Sequence, residues 1–177
     1  MIPLGIPLSF NPYWIALKQS ITKKLFSALQ HTPTQTEPVD SNFIDKKNIP
    51  TYTSLQTDSI SKATNQKRAQ FHFLHDTTFT VGQHSFQTFY PGQGHTIDNI
   101  VIWFDKEKIL YGGCLIKSIQ ATDLGYIKEA NLPEWSATLK NVQQKYPQPK
   151  FIIPGHDSFT SLNAINHTLK LLQQNKK

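Results

Sequence analysis

The sequence predicts a mixed fold of the α/β (α+β) class, for three reasons. Strand-like segments run from residue 71 to residue 113, a helical pattern covers 132–146, and a short apolar strand at 150–155 precedes a closing helix. The 177 residues, 38% of them apolar, suffice for one soluble domain with a sizeable core, and no apolar stretch is long enough to span a membrane.

The N-terminal part of the chain contains three predicted elements. Between Asn11 and Gln30, apolar side chains recur at spacings of three and four, which predicts an amphipathic helix. The stretch "IPTYTS" (49–54) predicts a short extended segment, and the polar segment 55–63 that follows it predicts a helix.

Strand signals dominate the middle of the chain. "FHFL" (71–74) and "HSFQTFY" (84–90) have strand composition on either side of a turn at Val81, Gly82 and Gln83. "NIVIWF" and "KILYGG", which together cover 99–113 around the polar "DKEK", predict a β-hairpin.

The C-terminal elements are predicted to be a helix, a strand and a helix. In "LPEWSATLKNVQQKY" (132–146) a proline occupies the first turn, where helices tolerate it, and the apolar residues recur on one face. "KFIIPG" (150–155) predicts a short buried strand that the Pro-Gly pair ends, and residues 161–174 predict the closing helix.

The charge and the N-terminus exclude several functional classes. The net charge of +6 comes from 18 basic and 12 acidic residues that are scattered along the chain without an arginine-rich block, so we expect no nucleic-acid partner. The N-terminal "MIPLGIPLSFNPYW" has no basic region, long apolar region or small-residue cleavage pattern, and therefore predicts no signal peptide.

Three candidate metal ligands share one local pattern. His95, Cys114 and His156 each follow a strand-like segment, and a glycine precedes each of them. Because glycine allows sharp turns and close approach, three strand ends can direct these side chains to one point. Imidazole and thiolate together suit zinc. Taken singly, the cysteine is better explained as a core thiol and each histidine as a hydrogen-bonded turn residue, whereas the pattern shared by all three favours a metal site.

Four motifs then resemble a known family. "YPGQGHTIDNIVIW", "ILYGGCLIKS", "LGYIKEANLPEW" and "IIPGH" are similar, in this order, to motifs of the zinc metallo-β-lactamases, in the subclass whose second zinc is held by a cysteine. The resemblance covers residues 46–177. It implies the αββα sandwich of that family, here mainly its C-terminal half, with the site at one edge of two packed sheets.

The resemblance also implies roles for individual residues and two zinc ions as cofactor. His95 would complete the three-histidine set of the first zinc, and Cys114 and His156 would bind the second. Lys117 would bind the carboxylate of a β-lactam substrate, and Asn131 would bind the substrate and help to polarise the lactam carbonyl during catalysis. The implied protein is a monomeric periplasmic hydrolase of the β-lactam ring, an activity that confers antibiotic resistance.

Two departures from the family pattern stand out. A minor one is Glu129, where the family usually has aspartate. The major one concerns an H-x-H-x-D motif and a Thr-Gly-Gly turn, which the family carries shortly before the segment corresponding to "IPTYTS" and which this chain lacks. The spacing places the missing motif on "HTPTQTEPVD" (31–40). Without it the first zinc lacks two histidines and the second lacks an aspartate.

A shift of the reading frame would account for the missing motif. When the third base of each codon is joined to the first two bases of the next, the codons from His31 onward permit His-Thr-His-Thr-Asp-Arg-Thr-Gly-Gly. Upstream, the codons of Trp14 and Ile15 force an aspartate, and downstream the printed frame resumes at Ile44. We therefore predict that residues from about 8 to 43 are an out-of-frame translation. They lie within an anomalous segment 1–45, which precedes the metallo-β-lactamase part 46–177, and the helical spacing at 11–30 would then be accidental.

Other interpretations of the chain remain open at this point. The opening segment is also consistent with a divergent extension or a disordered segment rich in threonine and proline. The chain is also consistent with an inactive fragment or pseudogene product, which we expect to be poorly soluble because half a sandwich exposes an apolar sheet. Another hydrolase of the same fold, such as a thioester hydrolase, would generally have aspartate in place of Cys114 and no Lys117.

Overall fold

A computed structural model describes residues 50–74 and 76–175. The chain divides into two compact units, Met1–His72 and Phe73–Lys177. The helix predicted for 11–30 and the anomalous segment 1–45 lie outside the described residues. No helix in the described ranges is both long and apolar enough to cross a membrane.

The described part of the first unit contains a helix beside a two-stranded sheet. Strand β1 (Tyr52–Ser54) leads directly into helix α1 (Leu55–Ala63), and β1 pairs with β2 (Phe71–Phe73). The helix begins at Ser54 because its Oγ accepts a hydrogen bond from the backbone N of Thr57 at 3.0 Å. These elements confirm the predictions for 49–54, 55–63 and 71–74.

The second unit is built around a five-stranded sheet with the order β3-β4-β5-β6-β7. Neighbouring strands from β3 to β6 are antiparallel, whereas β7 runs parallel to β6. Their bounds are β3 (Thr78–Val81), β4 (His84–Phe89), β5 (Val101–Phe104), β6 (Ile109–Gly113) and β7 (Phe151–Pro154).

One strand was missed by the sequence prediction. The turn expected at residues 81–83 is a two-residue turn at Gly82 and Gln83, and Val81 belongs to β3, where it pairs with His84. The strand opposite β4 in this hairpin is therefore β3, while "FHFL" contributes to the other sheet. The sequence "TFTV" consists of β-branched and aromatic residues and so has strand composition, which the sequence prediction overlooked in this four-residue run.

Two helices cover one face of the sheet and complete the core. Helix α2 (Leu132–Lys145) has the predicted proline in its first turn, and α3 (Ala164–Gln174) begins slightly later than the predicted residue 161. The core that they form with β5, β6 and β7 includes Val101, Trp103, Leu110, Trp135, Leu139, Val142, Ile152, Ile165 and Leu172.

The opposite face of the sheet is also apolar. Phe86 stacks on Phe79 with the ring centroids 5.2 Å apart and contacts Phe104 at 5.7 Å. All four residues of β5 are buried, and Ile102 is only 1% exposed. Because a strand that is apolar at every position has both faces covered, this strand is typical of the interior of a layered α/β structure.

Tyr146, the residue that ends α2, should make folding stability sensitive to alkaline pH. Its ring stacks on Trp103 at 4.7 Å, and burial, together with the negative charge of Asp76, raises the pKa of Tyr146 to about 12. Since the ordinary value is 10.0, the unfolded state releases this proton first, and stability should fall as the pH rises from about 10 to about 12.

The substitution Tyr146→Phe keeps the ring and removes the titrating group. We expect this variant to lose less stability than the parent over the same pH range, measured by urea unfolding at several pH values with circular dichroism. Identical pH profiles for the two proteins would contradict the assignment.

Candidate metal centre

The parallel pairing of β6 and β7 brings two of the predicted ligands together. Gly113 of β6 lies opposite Pro154 of β7, so the residues that follow these strands leave the same edge of the sheet. Cys114 Sγ lies 3.4 Å from His156 Nε2. The cysteine is half-buried and the histidine is exposed, so the pair is open to solvent on one side.

Gly155 makes this close approach possible. A Cβ atom at this position would lie 2.7 Å from the backbone N of Cys114, 2.8 Å from the carbonyl carbon of Gly113 and 2.9 Å from Cys114 Sγ. Two of these three atoms belong to the backbone and cannot rotate away. The glycine before His156 is therefore required by contact distance, as its place in the sequence pattern predicted.

We expect Gly155→Ala to force the ends of β6 and β7 apart. The overpacking should lower the free energy of unfolding by about 1–3 kcal/mol and increase the Cys114–His156 separation. Urea unfolding gives the first quantity, and the reaction rate of the cysteine thiol with a disulfide reagent reports the second. As a control, Gly82→Ala adds the same methyl group where nothing lies within 4 Å but φ is +62°, so it should affect stability without changing the thiol rate.

The cysteine and histidine fit two ligands of one zinc ion. With Zn–S near 2.3 Å and Zn–N near 2.0–2.1 Å in a tetrahedral shell, the sulfur and nitrogen atoms are expected about 3.5 Å apart. The observed separation of 3.4 Å agrees with this value. Within residues 50–74 and 76–175, no group of three or more His, Cys, Asp or Glu side chains is arranged to hold an ion.

His95 lies within the loop between β4 and β5 and not directly at a strand end, as the sequence pattern had suggested. Its ring meets the ring of Trp135 edge-on, with the centroids 5.4 Å apart. Gly94 is packed so closely that an added Cβ would lie 2.4 Å from a side-chain carbon of Leu115. The loop is thus held against α2 and the segment that follows Cys114.

Polar side chains fix the path of this loop. Asn99 accepts a hydrogen bond from Thr96 N at 3.2 Å and donates one to the Gly92 carbonyl at 2.8 Å. From α2, Asn141 donates to the carbonyl of Pro91 at 2.8 Å. The Thr138 hydroxyl of α2 also donates to the carbonyl of Gln93.

Lys117 is buried beside the cysteine. Its Nζ lies 5.6 Å from the centroid of the Trp135 ring, and the side chain is only 9% exposed. Burial lowers the pKa of Lys117, an effect that the negative charges of Cys114 and Asp123 oppose. Burial likewise raises the pKa of the Cys114 thiol, and the Lys117 ammonium opposes that shift. The two groups therefore favour each other's charged forms.

Asn131 connects α2 to the His95 loop. Its Oδ1 accepts a hydrogen bond from Glu134 N at 3.3 Å and so caps the helix, while its Nδ2 donates to Gln93 Oε1 at 2.6 Å. Its backbone N donates to the Gly94 carbonyl at 2.8 Å. An amide nitrogen carries two hydrogens, and within residues 50–74 and 76–175 only one of those on Nδ2 is bonded. Glu129, which occupies a position where the family usually has aspartate, is exposed.

Trp135 is the residue that the sequence interpretation undervalued. The helical pattern placed it in the core, where it is fully buried, but gave no sign that its ring contacts both His95 and Lys117. Its Nε1 also donates to the carbonyl of Leu115 at 2.9 Å. The position of Trp135 in the helical repeat predicts that it is buried. The residues that it contacts are known only from the structure.

Comparisons with known proteins agree on one family. Over 124 residues the chain is 44% identical to the type 2 metallo-β-lactamase of Elizabethkingia meningoseptica, a match that covers 70% of this chain and 50% of that relative. A metallo-β-lactamase structure from Pontibacter korlensis superposes with a TM-score of 0.78 at 30% identity, covering 90% of this chain and 76% of that one. No protein-family model matches the sequence.

A crystal structure of metallo-β-lactamase IND-7 is 34% identical, with a TM-score of 0.77 over 92% of this chain and 77% of that chain. The chain therefore belongs to the metallo-β-lactamase family and has its sandwich fold, which confirms the resemblance of the four motifs. It spans about half the length of the Elizabethkingia relative.

Proposed function

We propose that the chain derives from a zinc-dependent hydrolase of the β-lactam ring. We also propose that the 177-residue chain does not itself turn over β-lactams, because its sequence lacks the H-x-H-x-D ligands. The observation that carries this proposal is the 3.4 Å contact between a cysteine thiol and an imidazole at a sheet edge, in a member of the metallo-β-lactamase family.

In this proposal each of the three candidate ligands serves one of two zinc sites. Cys114 and His156 bind the second zinc, and His95 binds the first together with two histidines that the printed frame does not supply. When bound, zinc polarises the amide carbonyl and lowers the pKa of water so that it can act as nucleophile. The protein keeps the ligand side chains at fixed positions around the ions.

Two further residues bind the substrate. The Lys117 ammonium is held beside the Trp135 ring at 5.6 Å and is the cation for the carboxylate of a β-lactam. Asn131 directs its remaining Nδ2 hydrogen to the lactam carbonyl, where negative charge develops during the reaction. Because Asn131 is also hydrogen-bonded to the His95 loop, the carbonyl contact and the first metal site are held by one residue.

The class of substrate and the cellular location follow from the same proposal. The intact enzyme acts on β-lactam antibiotics in the periplasm as a monomer and confers resistance to them. The charge distribution and the absence of an arginine-rich block favour a small-molecule substrate over nucleic acid.

The substrate class is tested on a protein whose reading frame is corrected across residues 8–43. We expect this protein, loaded with zinc, to hydrolyse a chromogenic cephalosporin and to leave thioesters unchanged. The variant Lys117→Ala should raise KM for the cephalosporin more than it lowers kcat, because the lysine binds the carboxylate in ground and transition states alike. Thioester turnover without cephalosporin hydrolysis would instead identify another hydrolase of this fold.

A further inference from the structure

Two hydrogen bonds cross between the loop that follows Cys114 and the loop that follows His156. The Ser118 hydroxyl donates to the carbonyl of Ser158 at 3.1 Å, and the backbone N of Ser158 donates to Gln120 Oε1 at 3.2 Å. The backbone N of Gln120 also donates to Ser118 Oγ at 3.2 Å. We refer to the side chains of Ser118 and Gln120 with the backbone of Ser158 as the loop clasp.

The loop clasp completes a ring around the candidate ligand pair. On the strand side of the pair, Gly113 and Pro154 are held by the parallel β6–β7 pairing. On the far side the sheet has ended, and among the described residues the two hydrogen bonds of the clasp join the two loops. The thiol and the imidazole, 3.4 Å apart, lie between these two connections.

One side of the clasp is itself firmly anchored. Ser118 is 2% exposed, and the backbone N of its neighbour Lys117 donates to Thr168 Oγ1 at 2.8 Å. Thr168 lies on α3 and is fully buried. The loop after His156 has less support, because Gly155, His156 and Asp157 are exposed and Asp157 has a φ of +61°. The clasp therefore attaches an exposed loop to a buried one.

We propose that Ser118 and Gln120 are positioning residues that hold His156 at ligand distance from Cys114. The inference rests on the proposed zinc centre, since it concerns two of the ligands of that centre. Neither residue is among the ligands or substrate-binding residues of the proposed centre. Side chains that orient ligands in this way commonly affect metal affinity. A mobile ligand loses conformational entropy when the ion binds, and this loss weakens binding.

Gln120 allows the clasp to be removed without disturbing the core, because its side chain is exposed. In the 177-residue chain, Cys114 is the one cysteine, so a disulfide reagent reports on this site alone. We expect Gln120→Ala to increase the rate of thiol modification roughly threefold to tenfold, the effect of losing one hydrogen bond that keeps the loop closed. Gln120→Glu keeps an acceptor for Ser158 N and should restore the slow rate.

Ser158→Ala is the matched control. The Ser158 hydroxyl bonds to Thr160, whereas the clasp uses only the Ser158 backbone. This variant should therefore lose local hydrogen bonds and keep the parental thiol rate. An unchanged rate in Gln120→Ala, or an equal increase in Ser158→Ala, would overturn the proposal.

A second readout uses cobalt(II) and the frame-corrected protein, and it decides the question if the 177-residue chain does not stay in solution. The thiolate-to-cobalt absorption band gives the dissociation constant, which we expect to rise about tenfold in Gln120→Ala and to remain unchanged in Ser158→Ala. Equal cobalt affinities would refute the positioning role. If the frame-corrected protein binds cobalt in this pattern but hydrolyses no β-lactam, the proposed function fails while the role of the clasp stands.

Discussion

Correcting the reading frame across residues 8–43 is expected to return zinc binding and β-lactam hydrolysis together, with no change at His95, Cys114 or His156. In the proposed assignment, His95 belongs to one zinc centre, and Cys114 and His156 belong to the other. Neither centre then has the three protein ligands that a catalytic zinc ordinarily has. Loss of a hydrogen-bond partner outside the ligand shell already costs about 10–100-fold in metal affinity, so loss of ligands should cost more.

The comparison requires three proteins and the nucleotide sequence of the gene. The 177-residue chain, the frame-corrected protein, and a corrected protein in which both restored histidines are alanine are titrated with zinc and assayed with a chromogenic cephalosporin. Only the corrected protein should bind zinc tightly and hydrolyse the cephalosporin. Cephalosporin hydrolysis by the 177-residue chain would refute the proposed inactivity, and codons 8–44 that do not spell His-x-His-x-Asp in the shifted frame would refute the frameshift.

Trp135→Ala should produce the largest loss of stability of any single substitution considered. The side chain is fully buried, and truncation of a buried tryptophan costs about 3–5 kcal/mol. The Leu115 carbonyl would also lose its 2.9 Å hydrogen bond, and an unsatisfied buried acceptor costs about 1–3 kcal/mol more. For a domain that is only marginally stable, this total is enough to unfold it.

The control Trp135→Phe separates the two contributions. Phenylalanine keeps an aromatic ring near His95 and Lys117 and removes the Nε1 donor, so we expect it to lose clearly less stability than the alanine variant. Urea unfolding of the frame-corrected protein measures both free energies. A loss below about 1 kcal/mol in Trp135→Ala would mean that the ring does not hold the His95 loop against α2, since that value is typical of an average substitution.

The elements predicted most accurately from the sequence are those whose patterns are local. The fully apolar "VIWF" of β5 and the one-sided apolar pattern of α2 both formed as expected, because burial of apolar surface determines them. Strand β3 was missed although its β-branched and aromatic residues have strand composition, because a run of only four residues shows too little periodicity to count. The start of α3 was placed too early because Asn163 precedes the helix without a side-chain capping bond.

In the candidate site, too, the features with a local sequence pattern were predictable and the contacts between distant residues were not. The glycine that precedes each candidate ligand is a local signal, and the structure places Cys114 beside His156, since parallel neighbours end at one edge of the sheet. The assignment of the three candidate residues as metal ligands stays a prediction. The hydrogen bonds from Asn131 to Gln93 and from Ser118 to Ser158 join residues far apart in the chain. Polar contacts of this kind have no sequence period, so no reading of one sequence can find them.

The parallel arrangement of β6 and β7 has a consequence for the unfolded chain. Cys114 and His156 are separated by 42 positions, and the chain between them includes the whole of α2. An ion shared by these two side chains closes a loop of that length and acts as a reversible cross-link. The unfolded chain does not keep the two side chains together and so binds the ion weakly, and the folded chain is therefore stabilised by mass action, by about 2.7 kcal/mol at a free metal concentration of roughly one hundred times the dissociation constant. When two ligands of one metal ion lie far apart in the sequence, the stability of the fold therefore depends on the concentration of the metal.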